Sequence, residues 1–230
     1  MNRHFERELS NLQERLLTLF GTVEGMIFDA SRALCQRDYS GLMELDQRDR
    51  HVNSEEVRIE EECLKILALH QPVAKNLRQI TAVFKINLDL ERIADLASNI
   101  AERAACLQET PWFPIPEQIA ELARRSTEMV HTALDAFVNG DLELAKEVIY
   151  DDAAVDELNR VVIAELKGLM AEGSELIEPA LHCFSASRHF ERIADHAENI
   201  AEDVIYLISG EIIRHQHGEF LLRVKNDASN

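Results

Sequence analysis

Residues 91–102, ERIADLASNIAE, return as ERIADHAENIAE at 191–202, identical at ten of twelve positions. Self-similarity at so long a period constrains the fold more than any single element, because each copy must be one folding unit. The register can be followed upstream. Asp38, Asp49 and Val52 match Asp141, Asp152 and Val155 at an offset of 103, whereas Glu91 matches Glu191 at 100. The second copy is therefore three residues shorter in between. The turn between its second and third helices is the expected place, since deletions collect in turns.

Helical periodicity dominates, and the few glycines and prolines fall where helices should stop. The pattern predicts helices over residues 5–37, from the RDYSG break to 69, over 73–108, 117–138 and 142–171, and from the EGS break to 208. Asp38 or Ser40 is placed to cap the second helix. Pro72 should end it, because the residue before a proline avoids helical geometry. ETPWFPIP, with three prolines between 111 and 116, reads as the linker. The expected fold is all-α, two tandem three-helix bundles related by the internal repeat. Residues 1–110 form the first, 111–116 the linker, 117–210 the second and 211–230 an irregular tail. Short internal turns make sequential helices antiparallel neighbours.

Charge narrows the function. Asp and Glu number 42 against 24 Lys and Arg, a net charge of -18. Nucleic-acid binding needs clustered bases and is not expected; cations or basic protein surfaces suit such a chain. The N-terminal MNRHFERELS has no apolar core of a secretory signal, and no run approaches the ~18 apolar residues of a membrane span. No membrane insertion and a cytoplasmic location are therefore expected. Cys35, Cys63, Cys106 and Cys183 lie far apart without a C-x-x-C pair and read as reduced, buried small hydrophobes. No G-x-S-x-G or glycine-rich phosphate loop is present, so nucleophilic hydrolase chemistry is not expected.

On a helix the repeated phrase sorts itself. At about 100° per residue, Glu91, Asp95, Ser98 and Glu102 fall within about 60° of one another, while Ile93, Ala97 and Ile100 lie opposite and form the core face. Ala94 and Ala101 stand between, small enough to admit a neighbouring helix. The second copy places Glu191, Asp195, Glu198 and Glu202 on its stripe. Like charges at i,i+4 cost a helix roughly 0.2–0.5 kcal/mol per pair, and no base lies three or four residues from Glu102. The second helices supply a facing set: Asp49 and Asn53, continuing to Glu56 and Glu60, and Asp152 and Asp156, continuing to Asn159. Oxygen ligands converging from adjacent helices can hold hard or borderline cations. Asp152, Asp156, Glu191 and Asp195 are the expected tighter site; Asp49, Asn53, Glu91 and Asp95 form the other. A solvated acidic face is the alternative on these residues.

Two further readings stay open on the residues alone. A carboxylate-bridged di-iron bundle wants two Glu-x-x-His motifs, and only Glu128-x-x-His131 occurs. A metal-free structural adaptor needs none. His196 reads as a rim residue, His189 as surface, and His215-x-His217 as part of the tail.

The paired E(D)-x-x-x-D motifs, Glu91–Asp95, Asp152–Asp156 and Glu191–Asp195, resemble those of the PhoU family, as do ALHQPVAKNLR at 68–78, DLERIADLASNIAE and the QRD before the second helix. Asn53 departs from the pattern by replacing an acid with an amide. The resemblance covers residues 5–210. It implies a cytoplasmic, dimeric, non-enzymatic negative regulator of phosphate uptake and phosphate-starvation signalling. The implied partners are a second copy of the chain, the phosphate ABC transporter's ATPase subunit and a membrane sensor histidine kinase. It also implies metal on the acidic faces, iron foremost, with zinc, manganese, nickel or magnesium as alternatives.

Overall fold

The computed structural model describes residues 3–213. Six long helices make up the fold: α1 (Arg3–Gln36), α2 (Leu42–His70), α3 (Ala74–Cys106), α4 (Glu117–Asn139), α5 (Leu142–Glu172) and α6 (Ile177–Ser209). Short 3-10 turns follow α3 at Leu107–Glu109 and precede α6 at Ser174–Leu176. No strand occurs among the described residues. His215 and His217 lie outside them.

The two repeats build the same unit. Helices α1, α2 and α3 pack on one another, as do α4, α5 and α6, and the ERIAD segments sit on the equivalent helices α3 and α6. The predicted core face is buried in both copies: Ile93, Ala97 and Ile100, and Ile193, Ala197 and Ile200, are all fully inaccessible. Ala94 and Ala101 are also buried. They follow Asn87 and share a stripe with Ser98, and these two polar residues reach α2. Small side chains on that stripe let α2 approach α3 closely.

The ends of the helices explain where the chain turns. Asp141 caps α5, its Oδ1 accepting from the amides of Glu143 at 2.9 Å and Leu144 at 3.3 Å. Gly140, with φ of 62°, closes α4 in the left-handed region that a side chain disfavours. Its counterpart turn works differently. Asp38 does not cap α2; it pairs with Arg32 and accepts from the Ser40 amide, and Gly41 stands at the cap with no side-chain bond. Pro72 does end α2, with Gln71 turned left-handed ahead of it.

The three-residue difference between the copies lies at the expected turn. Residues 71–73 link α2 to α3, whereas Gly173 alone separates α5 from the 3-10 turn at Ser174–Leu176 that leads directly into α6. α2 ends 21 residues after Asp49 and α5 ends 20 residues after Asp152, and the helical segments that begin at Ala74 and Ser174 both run 17 residues to the repeated glutamate.

The repeats join mainly through α3 and α6. Arg78 donates Nε to the Leu207 carbonyl at 3.3 Å, Lys85 pairs with Asp203, and Asp89 meets His196 at 2.8 Å. Partner numbers fall as α3 numbers rise, so the two helices run antiparallel. On the other side α1 and α4 meet more sparingly, with Glu24 and His131 in contact at 2.9 Å. The proline-rich segment is pinned to the body: Phe113 is buried and its carbonyl accepts from Arg37 at 2.8 Å.

The cap difference is testable. Asp141→Ala should cost about 1 kcal/mol, read as a lower urea midpoint with unchanged slope. Asp38→Ala should cost less, because it removes an exposed ion pair. A larger loss for Asp38→Ala would show that the two turns have been assigned the wrong roles.

Candidate functional site

Each repeat does bring an acidic helix pair together. In the first, Asp49 on α2 faces α3, and its Oδ1 accepts from Ser98 Oγ at 3.2 Å. Asn53 turns back along α2, its Nδ2 lying 3.4 Å from Asp49 Oδ2. Asp49, Asp95 and Glu102 line a cleft of about 500 Å³ together with Asp46, Ser98 and Asn99. Glu91 and Glu56 are not in its lining but lie near each other one step along the groove.

Proton affinities report the crowding. Burial, then the neighbouring Asp95 charge, lifts the Glu91 carboxyl above its usual range against the pull of Arg92. Burial, then Asp49, lifts Asp95 in the same way. Burial and Glu60 lift Glu56. Arg92 is the counter-charge, 3.4 Å from Glu91 and 3.6 Å from Asp95.

The second repeat shows the same pattern. Burial by the packed helices, then Asp156, raises Asp195; burial, then Asp195, raises Glu191. Arg188 holds Glu191 Oε1 at 2.5 Å, and Arg160 approaches Asp156 at 3.6 Å. Glu191 Oε2 is buried without a hydrogen-bond partner. Asp152 and Glu198 are half-buried on the same pair of helices.

The lower part of the second stripe goes elsewhere. Glu202 is buried and lines a cavity of about 250 Å³ with Lys85, Asp203, Tyr206, Ile212 and Ile213. Its counterpart Glu102 is exposed and paired with Arg103 at 3.2 Å. The two stripes are therefore not equivalent below Ser98 and Glu198. The neutralising Arg103 lies one residue from Glu102, a spacing that a search at i±3 and i±4 passes over.

Among the described residues, no three or more His, Cys, Asp or Glu side chains converge to hold a metal ion. The donor chemistry nonetheless fits hard and borderline cations, and the orphaned Glu191 oxygen is a ligand atom without a partner. Cation binding here requires the side chains to turn inward from their arginines.

Several other assignments change. His196 is not a rim residue but sits half-buried in the seam between repeats, against Asp89. His189 is also half-buried, its Nε2 3.3 Å from Ser185 Oγ, and burial lowers its proton affinity. Glu128 pairs with Arg124, while His131 faces Glu24 and Asp135 across α4's outer side. Cys63 and Cys183 are buried, their thiols pushed up to about 12, and Cys35 is half-buried at about 11. Cys106 is exposed, contrary to expectation. All four cysteines are free.

The raised carboxyls have a defined pH signature. Their folded-state affinity for protons exceeds that of the unfolded chain, so the native state binds more protons. Stability should therefore fall as pH rises from the ordinary carboxylate range near 4 through the raised values. Glu191→Gln with Asp195→Asn should flatten that decline and raise the metal-free urea midpoint at pH 7. Wild type is the reference, because Glu8, Asp38, Glu55 and Glu121 are shifted downward and titrate with the opposite sign. An unchanged difference between the two proteins from pH 4 to 7 would contradict the like-charge account.

Comparison with known proteins places this geometry. The PhoU domain model matches residues 16–104 and again 119–204. The phosphate-specific transport system accessory protein PhoU homolog of Pseudomonas aeruginosa is 38% identical, with 100% of this chain and 94% of that protein covered. The Aquifex aeolicus homolog of the same name is 40% identical over 92% of this chain and 96% of that one. The accessory protein PhoU of Escherichia coli is 32% identical over 96% and 93%. The crystal structure of PhoU from P. aeruginosa matches with a TM-score of 0.85 at 39% identity, covering 90% of this chain and 100% of that one. The phosphate transport system regulatory protein PhoU of Streptococcus pneumoniae gives 0.83 at 28% identity, covering 90% and 98%. Twin bundles, the repeated acidic phrase and two matches to one domain model agree: the chain belongs to the PhoU family.

Proposed function

We propose that the chain is a non-enzymatic negative regulator of phosphate-specific transport and of phosphate-starvation signalling, acting by protein contact. The observation that carries this reading is near-full-length similarity to accessory proteins of phosphate-specific transport. The fold suits the role: two helical bundles present acidic faces for contact, and among the described residues no helix is long and apolar enough to cross a membrane. Its partners are the transporter's ATPase subunit and a membrane sensor histidine kinase, both reached from the cytoplasm, and the working form is a homodimer. The acidic faces bind metal in this reading, iron foremost, with zinc, manganese, nickel or magnesium as alternatives. Asp49, Asn53, Glu91 and Asp95 would supply oxygens in the first repeat, and Asp152, Asp156, Glu191 and Asp195 in the second. The metal would neutralise carboxylates that now repel one another and stiffen each helix pair.

Deletion of the gene should leave phosphate-starvation genes active in phosphate-rich medium, and the wild-type gene should restore repression. Affinity capture from the same cells should recover the kinase or the ATPase subunit. Repression unchanged by deletion, with neither protein recovered, would overturn the regulatory reading. Elemental analysis of untagged protein tests the metal separately. Bound metal should fall more for Glu191→Gln with Asp195→Asn than for Glu91→Gln with Asp95→Asn, because the second repeat has the additional carboxylate at Asp156 and the unpartnered Glu191 oxygen. Metal-free protein that still represses would favour the plain adaptor, a reading supported by the outward ion pairs of Arg160 and Arg188.

A further inference from the structure

The outer groove between α2 and α3 carries apolar surface that neither the core nor the acidic faces use. On α2, Val57 and Leu64 are 50% and 53% exposed; on α3, Leu77 and Leu88 are 42% and 40% exposed. Asn87 donates Nδ2 to the Glu56 carbonyl at 2.9 Å. That bond sets the antiparallel register, which brings Val57 and Leu64 level with residues 86 and 79 of α3, each about 3 Å along the axis from Leu88 and Leu77. Leu77, Phe84 and Leu88 lie within about 60° of the Glu91–Asp95 stripe on α3. The groove is thus one continuous track, apolar at one end and acidic at the other, running roughly 27 Å from Leu77 to Asp95 at 1.5 Å per residue.

Its rim is acidic. Glu56, Glu60 and Glu61 border it on α2 and Glu91 on α3, and the charge of Glu60 adds to burial in raising Glu56. Nearby bases are engaged: Arg58 pairs with Glu55, Lys65 with Glu62, and Arg92 with Glu91 and Asp95. The second repeat supplies an internal contrast. At the 103-residue offset, Val57 and Leu64 are replaced by Arg160 and Lys167, so α5 has bases where α2 has its two exposed aliphatics.

We infer that this groove is the docking surface for a basic amphipathic helix of a partner protein. Its apolar residues at i, i+4 and i+7 would lie over Val57, Leu64, Leu77 and Leu88, as in other helix-in-groove contacts. Its Lys or Arg residues would meet Glu56, Glu60, Glu61 and Glu91. Charge complementarity selects the partner's sign, and the bases of α5 exclude the same helix from the second repeat. The inference rests on the protein-contact reading above and adds to it a surface and the chemistry of what binds there.

The test uses the full chain in chelator-containing buffer, so that the acidic faces are free of metal. The probe is a synthetic 18-residue Leu/Lys peptide with leucines spaced for one helical face; a sister peptide carries Glu for Lys. The basic peptide should bind with a Kd that Val57→Arg with Leu64→Lys raises at least tenfold. Those residues already occupy the equivalent helix positions in α5, and circular dichroism should show an unchanged fold. Val138→Arg with Leu181→Lys, the same charge change at other exposed aliphatics, should alter Kd less than twofold. Equal weakening by both charge variants, or equal binding of the acidic peptide, would overturn the inference. Capture of a cellular partner equally by wild type and by Val57→Arg with Leu64→Lys would also overturn it, while leaving the protein-contact reading intact.

Discussion

The antiparallel seam between α3 and α6 sets the position of everything outside it. Each of these helices is the centre of its own repeat, packed by two partners within the bundle. Their mutual contact therefore fixes both acidic faces at once. The seam combines buried apolar surface of the two helices with polar locks at Lys85–Asp203 and Asp89–His196. Hydrophobic burial there supplies adhesion but no register. The directional pairs supply register, because a slip of one turn, about 5.4 Å, would separate every one of them.

Within each repeat the same helices meet a conflict. Alanines on one stripe allow α2 to come close to α3, and that closeness places Asp49 against Asp95 and Glu91. Close packing favours the bundle, while like charges oppose it. Arginines on the outer side relieve part of the strain. Arg92 reaches two acids in the first repeat; in the second, Arg188 holds Glu191 and Arg160 lies between Asp156 and Glu157. The unpartnered oxygen of Glu191 shows that the relief is incomplete. A charged surface under this kind of tension is one whose stability responds to whatever cation or basic group settles on it.

Fold class and element order were legible in the residues because the repeat and the 3.6-residue period are both written in local pattern. Helix ends agreed to within two residues where Pro72, Gly140 and Gly210 or the proline segment punctuate them. The core face was legible for the same reason. What the sequence did not carry were the contacts between repeats. Nothing local distinguishes His196 as a seam residue, since its partner Asp89 is 107 positions away. Glu202 reads as a continuation of its stripe, yet the chain after α6 folds back through Ile213 and covers it. Asp38 has the composition of a cap but a nearer arginine claims it.

The seam also has a near-twofold character that its side chains do not keep. Under the 100-residue offset, Asp89 corresponds to His189 and His196 to Leu96. A symmetric pairing of two identical halves would have to make each of these contacts twice. Here Asp89 faces His196 on one side of the pseudo-axis, while at the symmetry-related positions Leu96 is apolar and His189 instead lies 3.3 Å from Ser185 Oγ of its own helix. Joining the halves into one chain releases them from that duplication. Each end of the seam can then specialise, one as an ion-paired lock and the other as a half-buried histidine, within a backbone that still looks the same from both directions.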